Sequence, residues 1–133
     1  MNSFLYFDIS RNIVDTKETL AYRALMNEEI AAKCLSELGS PTRLSVFRLL
    51  VKAGPDGMVV GEIQRRLQIP ASTLSHHIAR LAWAGLVDQR REGRKLHCST
   101  RDGVMDSLVT FLTAECCTGF SDTDGECADN PAA

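Results

Sequence analysis

The chain has 133 residues, of which 44% are hydrophobic and 24% are charged, enough for one hydrophobic core and not comfortably for two domains. No apolar run approaches the ~20 residues of a membrane-spanning helix, and residues 1–8 lack the basic and apolar regions of a secretory signal. The five cysteines have no regular spacing, which argues against the disulfide framework of a secreted protein. Composition therefore predicts a cytoplasmic protein with reduced thiols and no membrane-spanning segment.

The charges are distributed unevenly along the chain. The net charge of −2 is the balance of −2 over residues 1–39, +7 over residues 40–101 and −7 over residues 102–133. A basic block of about sixty residues between acidic flanks is typical of a surface that binds a polyanion such as DNA. On charge alone, a solvated basic face without a ligand explains the pattern equally well.

The first half of the chain predicts two helices. Residues 1–14 show no helical period and are assigned as an N-terminal arm of unknown structure. Over residues 15–38 the apolar residues recur near helical spacing, which predicts the first helix. Ser40 and Pro41 then suit the N-cap and the first position of a second helix, which the turn residues 54–57 end. The predicted buried stripe of the second helix consists of Leu44, Phe47, Leu50 and Val51.

A helix-turn-helix arrangement is predicted next. A short third helix is indicated by the apolar residues Val59, Val60, Ile63 and Leu67. After a tight break at residues 69–71, Ser72 can cap a fourth helix that runs to about residue 84. A short helix, a tight turn and a second helix in this order form a helix-turn-helix. The predicted buried face of the fourth helix consists of Leu74, Ile78 and Leu81.

The other faces of the fourth helix carry hydroxyls, imidazoles and a guanidinium. Such groups can donate to base acceptors and phosphates in the major groove of DNA. An ordinary amphipathic surface helix is the alternative, because Ser, His and Arg are common on solvent faces. The predicted DNA-contacting residues of this helix are Ser72, Thr73, Ser75, His76, His77 and Arg80.

A basic β-hairpin is predicted directly after this helix. Residues 86–91 and 94–99 have strand patterns, and Glu92 and Gly93 supply the turn because glycine readily takes a positive φ. A two-stranded basic hairpin in this position is a wing, whose cations reach phosphates or the minor groove. The predicted wing contacts are Arg90, Arg91, Arg94 and Lys95.

The chain resembles the ArsR/SmtB family of winged-helix metalloregulators over residues 32–117. The resemblance is carried by LSELGSPTRLSVFRLL at 35–50, STLSHHIARLAWAGLV at 72–87 and RREGRKLHCST at 90–100. It implies a mainly α fold with a small β-hairpin wing, a winged helix-turn-helix over residues 15–117. It also implies a homodimeric repressor with an α-helical dimer interface, formed by the first and last helices, that ligand binding releases from double-stranded operator DNA.

The sensor site of the family is compared residue by residue. A Cys-Val-Cys pair at the third helix is absent, since Val59, Val60 and Gly61 match it. A zinc site of Asp and His on the final helix is absent too: Asp102 matches a first ligand, but no histidine follows His97. The chain instead offers a cysteine pair at the end of a final helix over residues 102–115, and one more in the acidic tail, residues 118–133, expected to be flexible. The predicted ligands are Cys116, Cys117 and Cys127.

This cysteine pattern resembles family members that sense arsenite or antimonite, so As(III) or Sb(III) is the expected inducer and no permanent cofactor is expected. Trivalent arsenic and antimony prefer sulfur donors, as soft ions do in general. Cys34 and Cys98 are alternative third ligands, although Cys34 falls on an apolar helix face, where a free cysteine usually packs as a small hydrophobe.

Three other functions are weighed. A dithiol redox or persulfide sensor of the same fold would pair Cys34 with Cys116 or Cys117. A thiol metal-buffering protein would use the acidic cysteine-containing tail without binding DNA specifically. An enzyme is not expected, because two of the three histidines lie on the predicted recognition helix and the chain has no Gly-rich phosphate loop.

Overall fold

The computed structural model describes residues 25–120, which form five helices and a three-stranded sheet. In chain order the elements are α1 (Glu28–Leu38), α2 (Pro41–Ala53), β1 (Met58–Val59), α3 (Val60–Leu67), α4 (Ala71–Trp83), β2 (Val87–Glu92), β3 (Lys95–Thr100) and α5 (Val104–Thr113). The predicted fold class, a winged helix-turn-helix, is confirmed. No helix in the described part is long and apolar enough to cross a membrane. The predicted arm (residues 1–14), the predicted start of the first helix at residue 15, and Cys127 in the acidic tail lie outside the described residues.

The periodicity predicts one continuous helix up to residue 38, but the structure shows a break in it. Leu25 is helical, but Met26 and Asn27 are not, and α1 begins at Glu28. Asn27 has extended backbone angles, and its side-chain oxygen accepts a hydrogen bond from the backbone N–H of Ile30 at 2.9 Å. The prediction is wrong here because an N-cap asparagine starts a new helix without any Pro or Gly to mark the break.

The predicted start of α2 is confirmed, whereas its predicted buried stripe is half wrong. Ser40 is the N-cap, with its hydroxyl accepting from the backbone N–H of Arg43 at 3.5 Å, and a proline follows it. The core contacts the side of α2 that carries Val46, Phe47 and Leu50. Leu44 and Val51, seven residues apart on a neighbouring stripe, are 41% and 51% exposed.

The wing is part of a three-stranded antiparallel sheet with the order β1-β3-β2. The strand β1 was not predicted, because it has two residues and pairs with a strand some forty positions away: Met58 lies opposite Cys98. Gly57 makes this pairing possible, since its φ is +71° and a Cβ there would collide with the Cys98 carbonyl. The hairpin turn has Gly93 at φ +59°, as predicted. Glu92, predicted in the turn, is instead the last residue of β2 and pairs with Lys95, so Arg94 is the second turn residue.

The core lies between the helices and one face of the sheet. The predicted buried face of α4 is confirmed, since its three residues are at most 2% exposed. The fully buried large side chains include Phe47, Leu50, Ile63, Leu74, Ile78, Leu81 and Leu86. This packing fixes α4 on the domain and leaves its polar side exposed.

Candidate nucleic-acid interface and thiol site

The fourth helix, here called the recognition helix, presents its polar side chains near its start. Gln68 takes a left-handed conformation (φ 53°, ψ 44°) at the end of α3, and the turn ends at Pro70, the N-cap of α4. The prediction that Ser72 caps the helix is therefore wrong, because Ser72 is the second residue of the helix. The predicted contacts that the structure brings together on the exposed side are Ser72, Thr73, Ser75 and His76.

His77 does not lie on this exposed side. It is half-buried, and its Nδ1 is enclosed without a hydrogen-bond partner among the described residues. Burial lowers the pKa of His77, and the nearby charges of Arg43 and His76 lower it further. The ring is therefore neutral at physiological pH. A histidine can contact phosphate as a cation, but His77 is not suited to this role.

Arg80 has a protein partner that its position on the helical wheel did not indicate. Its Nε donates to Oε2 of Glu37 at 3.1 Å and its Nη2 to Oε1 of the same carboxylate. Arg43 completes the cluster, with its Nε 3.2 Å from the Glu37 carboxylate and 2.6 Å from the Glu37 backbone oxygen. Glu37 is 2% exposed. Arg80 therefore links the recognition helix to α1. Its side chain is also 47% exposed, and its predicted DNA contact stays a prediction.

The Glu37 cluster predicts a stability that depends on pH. The hydrogen bond from Arg80 lowers the pKa of Glu37, and the charges of Arg80 and Arg43 act in the same direction against burial. A carboxylate with a lowered folded-state pKa stabilises the fold above its unfolded pKa, and this contribution is lost as pH falls through the folded pKa. Glu37→Gln cannot titrate in this way.

We expect Glu37→Gln to lower the free energy of unfolding by about 2 kcal/mol at pH 7, less than for a fully enclosed ion pair because Arg80 is half exposed. The difference from the wild type should stay constant down to about pH 5 and shrink below it. Urea unfolding at pH 7, 5, 4 and 3 measures it. Glu29→Gln, an exposed position on the same helix, is the matched control. A difference that does not change with pH would contradict the ion-pair explanation.

The wing carries four predicted cations, of which the structure pairs one. Arg90 lies 3.0 Å from Glu92, which also lies 3.3 Å from His97. The exposed wing residues without an ion pair among the described residues are Arg91, Arg94 and Lys95. These three cations surround the tip of the hairpin, where they can reach a DNA backbone.

Unequal salt dependence is expected among the wing cations. Arg94→Ala or Lys95→Ala should reduce the slope of log affinity against log salt by about one unit, because each cation releases a counterion from DNA. Arg90→Ala should reduce it by less, since Glu92 already neutralises that guanidinium. Fluorescence anisotropy of a labelled duplex over a range of KCl concentrations gives the slopes. Slopes equal to that of the wild type for Arg94→Ala and Lys95→Ala would rule out this assignment of the wing, and an equal reduction in all three variants would show that Glu92 does not neutralise Arg90 on DNA.

Two cations near the recognition helix were missed by the sequence prediction. Arg65 and Arg66 on α3 both donate to Glu62, and these hydrogen bonds lower the pKa of Glu62 to about 2. Arg65 also lines an open groove beside Pro70, where the recognition helix begins. Both arginines lie inside the basic block of residues 40–101, which could have indicated them. They were missed because the prediction examined the faces of the fourth helix alone.

Cys116 and Cys117 lie together beyond the end of the final helix. The helix α5 ends at Thr113, two residues earlier than predicted, and the cysteines occupy turns that follow it. Glu115 and Cys117 have positive φ values of 61° and 63°, which no helix continues through. Both thiols are free and exposed, and their Sγ atoms are 3.3 Å apart.

The thiol pair fits one soft ion. Two thiolates bound at about 2.3 Å to the same ion lie about 3.3 to 3.8 Å apart for bond angles of about 90° to 110°. Within residues 25–120, no group of three His, Cys, Asp or Glu could hold a metal ion, so a third protein ligand would come from outside that range. Cys127, the predicted third ligand, lies there.

The other two cysteines of the described part are core residues. Cys34 and Cys98 have no exposed surface, which confirms core packing for Cys34. Burial raises the pKa of both thiols, that of Cys98 to about 11. The thiolate is the form that binds a metalloid, so neither cysteine is suited as the third ligand.

Exposed apolar side chains lie on both α5 and α1. Met105, Val109 and Leu112 are 38%, 50% and 54% exposed on α5, and Leu35 on α1 is 42% exposed. These are the two helices that sequence predicted as the dimer interface. Met105, Val109 and Leu112 share one side of α5, and an exposed apolar stripe on a small domain often marks a protein contact.

Comparison with known proteins agrees with this geometry. A family model described as "Helix-turn-helix domain" matches residues 38–90. The HTH-type transcriptional regulator YgaV of Escherichia coli K12 is 30% identical over 84 residues, which are 63% of this chain and 83% of YgaV. The crystal structure of the transcriptional repressor BigR from Xylella fastidiosa has a TM-score of 0.53 and 27% identity, and covers 77% of this chain and 97% of BigR.

A third relative is also named as a repressor. The putative arsenical resistance operon repressor ArsR of Halobacterium salinarum is 34% identical over 79 residues, 59% of this chain and 59% of the relative. Together with the fold, these likenesses define a winged helix-turn-helix transcriptional regulator. The chain belongs to the ArsR/SmtB family.

Proposed function

We propose that this regulator is a cytoplasmic homodimeric repressor that binds double-stranded operator DNA and releases it when As(III) or Sb(III) binds Cys116 and Cys117, with Cys127 as the third ligand. The observation that carries the proposal is the pair of exposed thiols, with Sγ atoms 3.3 Å apart, at the end of the helix with the exposed apolar face. The reducing cytoplasm keeps such thiols available.

The DNA-binding part of the proposal rests on the recognition helix and the wing. Ser72, Thr73, Ser75 and His76 are exposed near the start of the helix, where they can donate to base edges in the major groove. The unpaired wing cations suit phosphate contacts that position the helix without reading sequence.

The homodimer is supported by the apolar face of α5 and α1. A two-fold axis through this face would place two recognition helices on half-sites about one helical turn apart. A change in the dimer geometry would then alter the spacing of the two helices and reduce the number of phosphate contacts that form together.

The metalloid is supported by thiol chemistry and by a relative named as an arsenical resistance repressor. Soft ions such as trivalent arsenic select thiolates over imidazole and carboxylate. To empty the operator, the metalloid must favour the non-binding state by a coupling free energy of about 2 to 3 kcal/mol or more. Coordination by two or three thiolates can supply this.

Three alternatives compete with the metalloid proposal. A redox or persulfide sensor that pairs Cys34 with Cys116 or Cys117 needs access to Cys34, whose thiol is fully buried and donates to the Ala84 carbonyl at 3.5 Å. A metal-buffering protein would not bind DNA with sequence preference, and an enzyme would not either.

The test begins by selecting duplexes from a random-sequence library with the wild-type protein. Sodium arsenite is then titrated into the complex with the enriched duplex under reducing conditions, beside zinc chloride and a persulfide donor. We expect release by arsenite at concentrations that leave the zinc sample bound. Failure to enrich any duplex would refute the repressor, and release by the persulfide donor alone would favour the redox sensor.

A further inference from the structure

Two side chains of α1 make polar contacts with the second half of the recognition helix. The carboxylate of Glu37 accepts two hydrogen bonds from Arg80, and the thiol of Cys34 donates to the backbone oxygen of Ala84 at 3.5 Å. The α1 residue is buried in each of these contacts, since Glu37 and Cys34 are at most 2% exposed. Hydrogen bonds in such surroundings are directional and costly to leave unmade.

A third contact lies at the end of the recognition helix. The ammonium of Lys33 is 3.6 Å from the centre of the Trp83 ring, and the guanidinium carbon of Arg80 is 5.4 Å from the same ring. Trp83 is itself 61% exposed, so little apolar packing holds it in place. Both cations lie within cation–π distance of the ring, Lys33 from α1 and Arg80 from the recognition helix itself.

The helix α1 contacts two functional surfaces at once. Successive residues of a helix are about 100° apart, so Leu35 and Glu37 lie on nearly opposite sides of α1. Leu35 belongs to the exposed apolar face of the proposed dimer interface, whereas Glu37 and Lys33 contact the recognition helix. A displacement of α1 at the interface therefore acts directly on the recognition helix.

We propose that Glu37 is a positioning residue for operator binding. With Lys33 and Cys34 it fixes the recognition helix to α1, so that the two helices move as one body and the dimer interface sets the orientation of the recognition helix in the major groove. The inference rests on the proposed DNA-binding function but not on the identity of the inducer.

In this proposal Arg80 acts through its link to Glu37. Its Nε and one of its terminal nitrogens are both used by the Glu37 carboxylate, a two-point contact that a lysine cannot reproduce. A carboxamide in place of Glu37 would keep the shape of the side chain and remove the charge that holds both arginines. The recognition helix would then keep its fold and lose its fixed orientation.

The test compares specific with non-specific DNA binding by the full chain. The variants are Glu37→Gln, Arg80→Lys, the pair Glu37→Gln/Arg80→Gln, and Glu29→Gln as an exposed control on the same helix. Affinities are measured for a duplex that the wild type has enriched from a random library and for a mixed-sequence duplex of equal length. The temperature is set well below the unfolding midpoint of each variant.

We expect Glu37→Gln to weaken binding to the enriched duplex by about 2- to 30-fold, the range for residues that couple two elements. Binding to the mixed-sequence duplex should be unchanged or slightly tighter, because the substitution removes a negative charge. Arg80→Lys should show the same selective loss, and the double variant should lose no more than Glu37→Gln alone, since both act through one contact.

Three results would overturn the inference. The first is that Glu37→Gln and Arg80→Lys bind the enriched duplex as the wild type does. The second is that these variants bind both duplexes more weakly by the same factor, which would indicate only a loss of folded protein. If Glu37→Gln does not fold, Arg80→Lys alone decides by the same criterion. Failure of the wild type to enrich any duplex would refute the proposed function itself, and the inference with it.

Discussion

Replacing both Cys116 and Cys117 with serine is expected to abolish arsenite-driven release and to leave operator binding unchanged. The two Sγ atoms are the only thiols of the described part that are exposed, and serine removes the soft donor while keeping the size of the side chain. Because the cysteines follow α5 without contributing to the buried core, the substitution leaves the fold of residues 25–120 intact. Anisotropy of a labelled operator duplex, titrated with sodium arsenite, measures the release.

The control variants separate the ligands from the other thiols. Cys98→Ala removes a fully buried thiol and should keep the arsenite response of the wild type. Cys127→Ser should weaken the response if that residue is the third ligand, and should change nothing if two thiolates suffice. Full release from the Cys116→Ser/Cys117→Ser variant would refute the proposed site and direct attention to a buried cysteine that becomes accessible in the complex.

The four cysteines in the described part show what sequence can say about a thiol. Helical periodicity placed Cys34 on an apolar face, and it is indeed buried, because a helix face follows from local spacing alone. The burial of Cys98 depends on β3 packing beneath α2 and beside the two-residue strand β1, a pairing that no local pattern indicates. Because Cys116 and Cys117 are adjacent in sequence, the pair could be predicted. The turn that brings their Sγ atoms to 3.3 Å from each other could not.

The recognition helix shows the same division between local and distant causes. Its buried face was predicted because Leu74, Ile78 and Leu81 recur at helical spacing. The partner of Arg80 was not predicted, because Glu37 lies 43 positions earlier and only the tertiary packing of α1 on the recognition helix brings the two together. On a helical wheel, an arginine that contacts DNA and one that contacts another helix look the same.

The second large effect is expected at the dimer interface. Val109→Asp/Leu112→Asp should give a monomer at micromolar concentration and weaken operator binding by at least about a hundredfold, because two linked recognition helices gain far more than one. Both residues are about half exposed on α5, so a charge there is tolerated by the single chain and not by an apolar contact between two chains. Sedimentation equilibrium gives the mass and anisotropy gives the affinity.

Thr110→Asp is the matched control, because Thr110 is exposed on the same helix, between the two substituted positions in sequence but on a different side of α5. It should remain dimeric and bind the operator as the wild type does. A dimeric Val109→Asp/Leu112→Asp variant would show that the interface lies elsewhere, for example on the exposed Leu44 and Val51 of α2. A monomeric variant with wild-type operator affinity would show instead that one recognition helix and its wing suffice, and release could then not depend on the spacing of two half-sites.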